Sequence, residues 1–570
     1  MSVDSPRTLA GLLRQRAVEL PQQVPYRFLK DGETESQQLT YASLDGQARA
    51  IAARLLAVGS PGQPVLMLYG AGLEFIAGLF GCLYAGMIAV PLIPPRRRQP
   101  LTTLAAMAAD AGAKLALTTH DLLARLLPQL DQEPGLRELN WLPTDELEQA
   151  GVTEVERVPD CRPDDVAALL YTSGSTSAPK GVMLTQRGLL GAPLVVPPGV
   201  DPNWPLTWVN WMPMHHIAGL GSVLQPVRVG KAAAILLPAE AVLERPVRWL
   251  RAISRYQAHF ANAPNFLYQF CADGVGPDER ADLDLRGWFI ARCNAETVRP
   301  ETVEQFTTAY APHGFRPEAF MPVYGLSEYP GVTGHMAGRA ALARAFDRAA
   351  LAQNRVSAVE PRTPGALRLV SNGRPGQGVT VRIVDPTTRR LCAAAEVGEV
   401  WVAGEYVAAG YWRRPDATAE SFQARTADSG EGPFLRTGDL GFLHDGELYI
   451  CGRLKDTLII RGQNYYAVDI EAAAAGSHPD LGAAAAAFAA PLNGAAGAEQ
   501  VVIYHEVRPG CTTPDVEAIS AAIRRAVASE MLLPVYAVVL VRAGGLPRTP
   551  VGKIRRFVCR DEFMAQPPHA

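Results

Sequence analysis

Lysine is scarce in this chain of 570 residues: of 54 Lys+Arg, only Lys30, Lys114, Lys180, Lys231, Lys455 and Lys553 are lysines. Lysine is a compact ammonium on a flexible stem where arginine is a planar fork, so a chain that defaults to arginine keeps lysine where a point charge is needed. Basic excess is missing too. With 57 Asp+Glu the formal net charge is -3, which gives no electrostatic reason to expect nucleic acid. The eight cysteines (Cys82, Cys161, Cys271, Cys293, Cys392, Cys451, Cys511, Cys559) are scattered and form no C-x-x-C pair. Zinc ribbons, dithiols and disulfide scaffolds are thereby set aside, and a reducing cytoplasm is expected. No secretory signal opens the sequence, since Asp4, Arg7, Arg14 and Arg16 interrupt its start.

No apolar run is long enough to read as a stable membrane span. In Val65 to Pro95 the only charge is Glu74, yet Pro91 and repeated glycines divide the stretch into a run at Val65 to Tyr69, a helix-like Leu73 to Tyr84 and a run at Met87 to Leu92. That is strand, helix, strand in an α/β core. The alternation recurs at Lys114 to Thr118 and Ala233 to Leu237, which predicts layers with largely parallel sheets. From about Leu369 the texture turns β-rich, with runs at Val379 to Val384, Glu399 to Val402 and Glu447 to Ile450. After Gly452 a last unit carries strands near Ala485 to Ala489, Gln500 to His505 and Ala537 to Val541 and a helix from about Asp515 to Met531. The Ala-rich stretch Ala472 to Ala490 is broken by Gly, Ser, His and Pro and reads as helix, turn and strand. The expected fold class is α/β: a large N-terminal domain (1–452) of layered α/β subdomains with a β-rich subdomain (about 373–452), then a small α+β C-terminal domain (453–570).

The sharpest motif is Leu170-Tyr171-Thr172-Ser173-Gly174-Ser175-Thr176-Ser177-Ala178-Pro179-Lys180-Gly181. Hydroxyls, backbone N–H groups and a terminal ammonium suit phosphate oxygens. A polar turn between two strands would use the same residues. The Walker A spacing is absent, as is a G-x-S-x-G elbow. Further along stand Tyr324-Gly325-Leu326-Ser327-Glu328, whose ring and carboxylate suit a base and a metal ion, then Arg436-Thr437-Gly438-Asp439, Gly452-Arg453-Leu454-Lys455-Asp456 and Pro547-Arg548-Thr549-Pro550-Val551-Gly552-Lys553.

Together, in this order, these motifs resemble the adenylate-forming superfamily of acyl-CoA synthetases, nonribosomal adenylation domains and luciferases, over nearly the whole chain. Arg461-Gly462-Gln463-Asn464-Tyr465-Tyr466-Ala467-Val468-Asp469-Ile470-Glu471 is most similar to fatty acyl-AMP ligases, with Ala467 where they carry proline. A long segment within about 329–372, including Phe346-Asp347-Arg348-Ala349-Ala350-Leu351, matches the place of their insertion. The resemblance implies ATP and Mg²⁺, a carboxylic acid activated to acyl-AMP, and transfer to the phosphopantetheine thiol of a separate carrier protein. No Asp-Ser-Leu type attachment site occurs in the chain itself. An acyl-CoA ligase and a catalytically silent homologue stand as alternatives.

By the same resemblance, Thr172, Ser173, Gly174, Ser175, Thr176 and Lys180 hold the leaving phosphates, and Thr176 and Glu328 lie near the metal. Tyr324 stacks on adenine beside Gly325, Ala295 and Glu296. Asp439 accepts the ribose hydroxyls, Arg453 lies near ribose and phosphate, Lys455 is the hinge of a mobile last domain, and Lys553 bridges carboxylate and α-phosphate. His216, in Pro213-Met214-His215-His216-Ile217-Ala218-Gly219, belongs at the junction of acyl tunnel and ATP site, with Trp211, Asn294 and Ser327 toward the substrate; a packed core histidine is the plainer reading of His216. Ile217 replaces a family aspartate, Asn294 a glycine, and Tyr329-Pro330 the small residues that follow the glutamate. Three changes around one pocket suggest an acid shorter or more polar than a simple long-chain fatty acid.

Overall fold

The computed structural model describes residues 8–95, 99–146, 161–172, 179–191, 205–334, 338–460, 463–491, 499–531, 533–549 and 552–565. The apolar stretch that opens the core folds as read: strand Pro64–Leu68, helix Glu74–Tyr84, strand Ile88–Leu92. Both strands are buried along their whole length, the signature of central parallel strands covered on two faces. They pair in parallel within a six-stranded sheet that adds Asn140–Pro143, Leu115–Thr118, Val166–Thr172 and, antiparallel at one edge, Lys180–Thr185. Among the described residues no helix is long and apolar enough to cross a membrane.

A second, nine-stranded sheet holds Leu206–Asn210, Ala232–Leu236, Phe260–Ala263, Ile290–Cys293 and Phe320–Leu326 at its parallel centre and antiparallel strands at both ends. Parallel neighbours need long crossovers. Between Leu206–Asn210 and Ala232–Leu236 that crossover is the helix Ile217–Val229, whose N-terminus therefore lies at the carboxyl edge of the sheet, where α/β sheets open to ligands.

Thr380–Val384, Gly398–Ala403, Leu435–His444 and Glu447–Arg453 form a four-stranded antiparallel sheet. Strand Tyr329–Gly334 belongs to the nine-stranded sheet, so the part of 329–372 standing apart is the hairpin Ala343–Asp347 with Ala366–Val370 and the short helix between them. After the 3-10 turn Leu454–Asp456 come a hairpin, Thr457–Ile460 with Gln463–Tyr466, and a three-stranded sheet of Leu481–Pro491, Glu499–Val507 and Val535–Val541. Helices Ala467–Ala475 and Val516–Met531 pack there around Ile470, Ile503, Ile519 and Ile523. The Ala-rich stretch is thus helix, turn and strand, the runs read as strands in this unit fall inside the observed ones, and the helix read from about Asp515 begins at Val516. The last unit touches the hairpin segment directly: Asn464 N–H donates to Ala352 O at 3.0 Å, its Nδ2 to Asn354 Oδ1 at 2.9 Å, and Arg348 faces Glu530 at 3.6 Å.

Candidate active site

One cavity of about 2260 Å³ receives residues from the nine-stranded sheet, the four-stranded sheet and the last unit. Its most ordered corner is built by strand register. Asp439 and Arg453 are Cα partners on neighbouring strands, and Arg453 Nε donates to Asp439 Oδ1 at 3.0 Å. Tyr324 Oη donates to Asp439 Oδ2 at 2.6 Å. Burial and the Asp439 charge push the Tyr324 phenol well above its ordinary range, so it stays a donor. The irregular part of strand Leu435–His444 that presents Asp439 is tied down by Glu399, a buried carboxylate that accepts from Arg436 Nε at 3.0 Å, Gly438 N–H at 3.1 Å and Trp401 Nε1 at 2.9 Å. Gly438 sits at φ +71, a left-handed conformation that glycine adopts without strain. Glu399 went unnoticed in the sequence because a carboxylate in a β-rich run looks like a solvated one.

Next to it lies the strand pair that flanks the Ser/Thr-rich motif. Thr172, at the end of strand Val166–Thr172, pairs across to Lys180 at the start of the next strand. The tip carrying Ser173, Gly174, Ser175 and Thr176 lies outside the described residues. Lys180 Nζ stands 4.9 Å from the centre of the Tyr411 ring, and Tyr411 Oη donates to Glu328 Oε1 at 2.8 Å. Burial first, then Glu328, drives the Tyr411 phenol upward. Trp412 N–H donates to Gly181 O at 2.8 Å, which seats this segment on the hairpin. Tyr411 is a second residue the sequence reading missed; its signal was the Gly410-Tyr411-Trp412 triplet. Gly325 and Ser327 line the wall between Tyr324 and Glu328. A Cβ on Gly325 would come within 3.0 Å of the Pro330 backbone.

His216 caps the helix Ile217–Val229, its Nδ1 accepting the Ala218 N–H at 3.2 Å. An Nδ1 used as acceptor leaves the ring proton on Nε2. Burial, with Lys553 and His215 adding to it, lowers the His216 pKa to about 3. His216 is therefore a neutral hydrogen-bond donor, neither a base poised near pH 7 nor a cation, and it lines the cavity. On the same cavity Asn294 N–H donates to Ala263 O at 3.2 Å, while its buried Oδ1 has no partner among the described residues. Ala295 holds φ 72, and Glu296 accepts the Phe266 N–H at 2.5 Å. Asn294, Ala295 and Glu296 all line the cavity, but Trp211 does not. Trp211 is 2% exposed, packs edge-on to Phe266 and donates Nε1 to Asn262 O; it supports the wall from behind, and Trp208 provides the indole on the wall.

Lys553 closes the site from the last unit. Its loop is pinned by Thr549 N–H to Lys553 O at 2.7 Å and Lys553 N–H to Thr549 Oγ1 at 3.1 Å. Gly552, at φ +85, rests so close to Phe266 that a Cβ would lie 3.0 Å from its ring. The ammonium enters the cavity, where loss of water, and then Arg453, lower its pKa to about 8 against the opposing charges of Glu296 and Asp439. Lys455 lines the same cavity from the 3-10 turn. Beside that turn Arg556 joins Asp456 at 3.1 Å and Glu471 at 2.5 Å. Of the residues expected at the site, all that are described converge on this cavity except Trp211, and Thr172 contributes only its described backbone.

The family of AMP-binding enzymes matches residues 13–412. A medium-chain-fatty-acid–[acyl-carrier-protein] ligase, JamA of Moorena producens (strain JHB), is 40% identical over 98% of this chain and 95% of its own. The long-chain-fatty-acid–AMP ligase FadD23 of Mycobacterium tuberculosis (strain CDC 1551 / Oshkosh) is 32% identical over 97% and 96%. Among solved structures, the fatty acyl-adenylate ligase from L. pneumophila in complex with acyl adenylate and pyrophosphate superposes with a TM-score of 0.74 at 34% identity, covering 99% of this chain and 97% of that one. The chain belongs to the AMP-binding enzymes and, within them, to the ATP-dependent fatty acyl-AMP ligases.

Proposed function

We propose that this ligase activates a carboxylic acid to acyl-AMP, with release of pyrophosphate, and hands the acyl group to the phosphopantetheine thiol of a separate carrier protein. The observation that carries it is the meeting of Lys553 with Arg453, Asp439, Glu296 and His216 in one cavity. A carboxylate approaching a phosphate builds negative charge between two oxygens. An ammonium already stripped of water stabilises that arrangement more than the separated reactants. Asp439, held by two donors, keeps carboxylate lone pairs for the ribose hydroxyls, and Tyr324 offers its ring to adenine. His216 Nε2–H donates toward the acid oxygen, and Lys180, with the Ser/Thr-rich residues that precede it in the sequence, serves the leaving phosphates.

Mg²⁺ fits the donor set. Tyr411 occupies one oxygen of Glu328, leaving the other to a hard cation, and no cluster of three metal-ligating side chains occurs among the described residues. That suits an ion bound through one or two carboxylates and the substrate's own phosphates, with Glu328 and Thr176 as protein ligands. Bound there, it would neutralise phosphate charge.

The acceptor follows from the kinship with an acyl-carrier-protein ligase. The chain divides near residue 453, and the last unit turns about Lys455 between the two half-reactions, carrying Lys553 out. Its contacts with the segment Ala343–Val370 must break when it does so. Eight scattered cysteines with no C-x-x-C pair suit a reducing compartment such as the cytoplasm. The test supplies ATP, Mg²⁺ and a panel of acids, then offers either a carrier protein bearing phosphopantetheine or free coenzyme A. Acyl-AMP accumulation with transfer to the carrier is expected; acyl-CoA formed as fast as acyl-carrier would overturn the reading.

A further inference from the structure

The lining of the cavity extends past His216 along the helix Ile217–Val229 and the strands beside it, and this part is its arm. The helix side presents Ala218, Ser222, Gln225 and Arg228, three or four positions apart and so on one face. On the sheet stand Asn262 and Arg292, Cα partners on adjacent strands, and Ser222 Oγ donates to Asn262 Oδ1 at 3.2 Å where helix and sheet meet. Trp208 and Phe260, stacked with centroids 4.5 Å apart, complete the wall.

This lining is unlike one made for a bare hydrocarbon. Arg228 donates Nη2 to Leu189 O, but among the described residues its buried Nε and Nη1 have no partner. Gln225 donates Nε2 to Gly221 O at 3.2 Å and leaves Oε1 buried and unmatched. Arg292 Nε is likewise buried and unpaired. Among the described residues no carboxylate pairs with either guanidinium. Loss of water brings Arg228 down to about 10 and also lowers Arg292. Unpaired buried cations and unmatched amides are costly, and an alkyl chain filling the arm would leave them so.

We propose that the acid activated here carries a second hydrogen-bond-accepting oxygen along its chain, received by Arg228 with Gln225 beside it. This rests on the acyl-AMP ligase reading and names its substrate class. The position of that oxygen follows from the helix. Twelve residues separate His216 from Arg228, about 18 Å of rise, and a helical side chain leans back by roughly a turn. At about 3.3–3.6 Å per three bonds of extended chain, the oxygen lies roughly ten bonds from the reacting carboxyl. A hydroxyl would accept from Arg228 and donate to Gln225 Oε1; a second carboxylate would engage the guanidinium alone.

The experiment measures acid-dependent ATP–pyrophosphate exchange with decanoic, 10-hydroxydecanoic and decanedioic acids for the full-length wild type, Arg228→Met, Arg228→Lys and Gln225→Leu. In wild type one of the two oxygen-bearing acids should exceed decanoic acid in kcat/KM by about tenfold or more. Arg228→Met should reverse the order with KM for ATP unchanged, and Arg228→Lys should keep part of the preference. A preference for the hydroxy acid that falls in Gln225→Leu marks a neutral hydroxyl, and a preference for the diacid that survives marks an anion; either supports the proposal. Decanoic acid favoured or equal in wild type, or an acid ranking identical in wild type and Arg228→Met, overturns it and leaves the ligase reading standing. Exchange with none of the three acids counts against both.

Discussion

The two ends of the cavity are finished to different degrees. At the end assigned to the nucleotide the described carboxylates are matched: Asp439 holds Tyr324 and Arg453, Glu399 holds Arg436, Trp401 and Gly438, and Glu328 holds Tyr411. At the acyl end Asn294 Oδ1, Gln225 Oε1, and nitrogens of Arg228 and Arg292 have no partner among the described residues. A site that binds the same nucleotide in every turnover gains by fixing its dipoles in advance. A site that selects among acids gains by leaving groups whose satisfaction depends on the right one, because a wrong acid then leaves them unpaired. Changes at the nucleotide end should therefore slow all acids alike, and changes at the acyl end should reorder them.

Lys553, to which the proposed function gives the reaction and not the choice of acid, should show the largest effect. Lys553→Ala should lower adenylation by ~10² or more for every acid, the loss of one preorganised electrostatic contact, while transfer from supplied acyl-AMP to the carrier stays nearly normal. Lys553→Arg should rescue poorly, since a planar fork does not replace a compact charge between two oxygens. Equal losses in both half-reactions would show that the lysine does not leave between them. The pH dependence follows from the same group. With its pKa lowered to about 8, Lys553 is charged below that pH and loses its proton above it, so kcat/KM for adenylation should fall about tenfold per pH unit on the alkaline side. The transfer step should lack that limb, and phosphate bound beside the ammonium should move the kcat limb upward. His216, at about 3, should add no acid limb between pH 5 and 8.

Much of the nucleotide end was legible in the sequence because its residues lie in short motifs at fixed spacing: Tyr324 to Glu328, Arg436 to Asp439, and Lys553 after Pro547-Arg548-Thr549. The β-rich sheet and the final strands were legible by alternation and turns. Glu399 and Tyr411 were not, since each acts through a partner far along the chain: Glu399 holds Arg436 across a strand pair, and Tyr411 reaches Glu328 over 83 positions. Arg228 looked like one arginine among many; only the crossover helix, which turns Gln225 and Arg228 onto the cavity wall together, distinguishes it. Trp211 misled for the opposite reason: alternation along the strand's end puts it behind the wall and Trp208 on it.

His216 stands where the two ends meet and tests the division between them. His216→Ala removes a neutral donor facing a carboxylate, a loss of about 2 kcal/mol or roughly thirtyfold in kcat/KM, shared by all acids and independent of pH across the neutral range. An acid limb near pH 6.5 in wild type that vanishes in His216→Ala would show that the ring titrates and is not held neutral. Asn294, one step further toward the acid, should instead change selectivity. Asn294→Gly removes bulk and an unmatched amide oxygen from the acyl entrance, so exchange should broaden toward longer or less polar acids by about tenfold, ~1.4 kcal/mol of discrimination. An unchanged acid profile would assign Asn294 to the nucleotide side of the comparison.

The smallest effect belongs to Tyr411, whose two interactions can be separated. Its hydroxyl holds one oxygen of Glu328, and its ring lies under the Lys180 ammonium. Tyr411→Phe deletes the first and keeps the second. A hydrogen bond of this kind contributes about 1 kcal/mol net, so adenylation should fall by roughly fivefold, equally for all acids. The loss should show mainly as a higher Mg²⁺ concentration for half-maximal rate, since Glu328 is freed to turn away from the phosphates. Tyr411→Leu removes the ring as well and should raise KM for ATP, because Lys180 then loses the face that holds it toward the hairpin, a contact of about 0.5–1 kcal/mol. If both variants show the same Mg²⁺ and ATP dependence, the ring and the hydroxyl act as one packing unit and Tyr411 does not position Glu328. If either variant reorders the acids, the nucleotide and acyl ends are not separable through this residue.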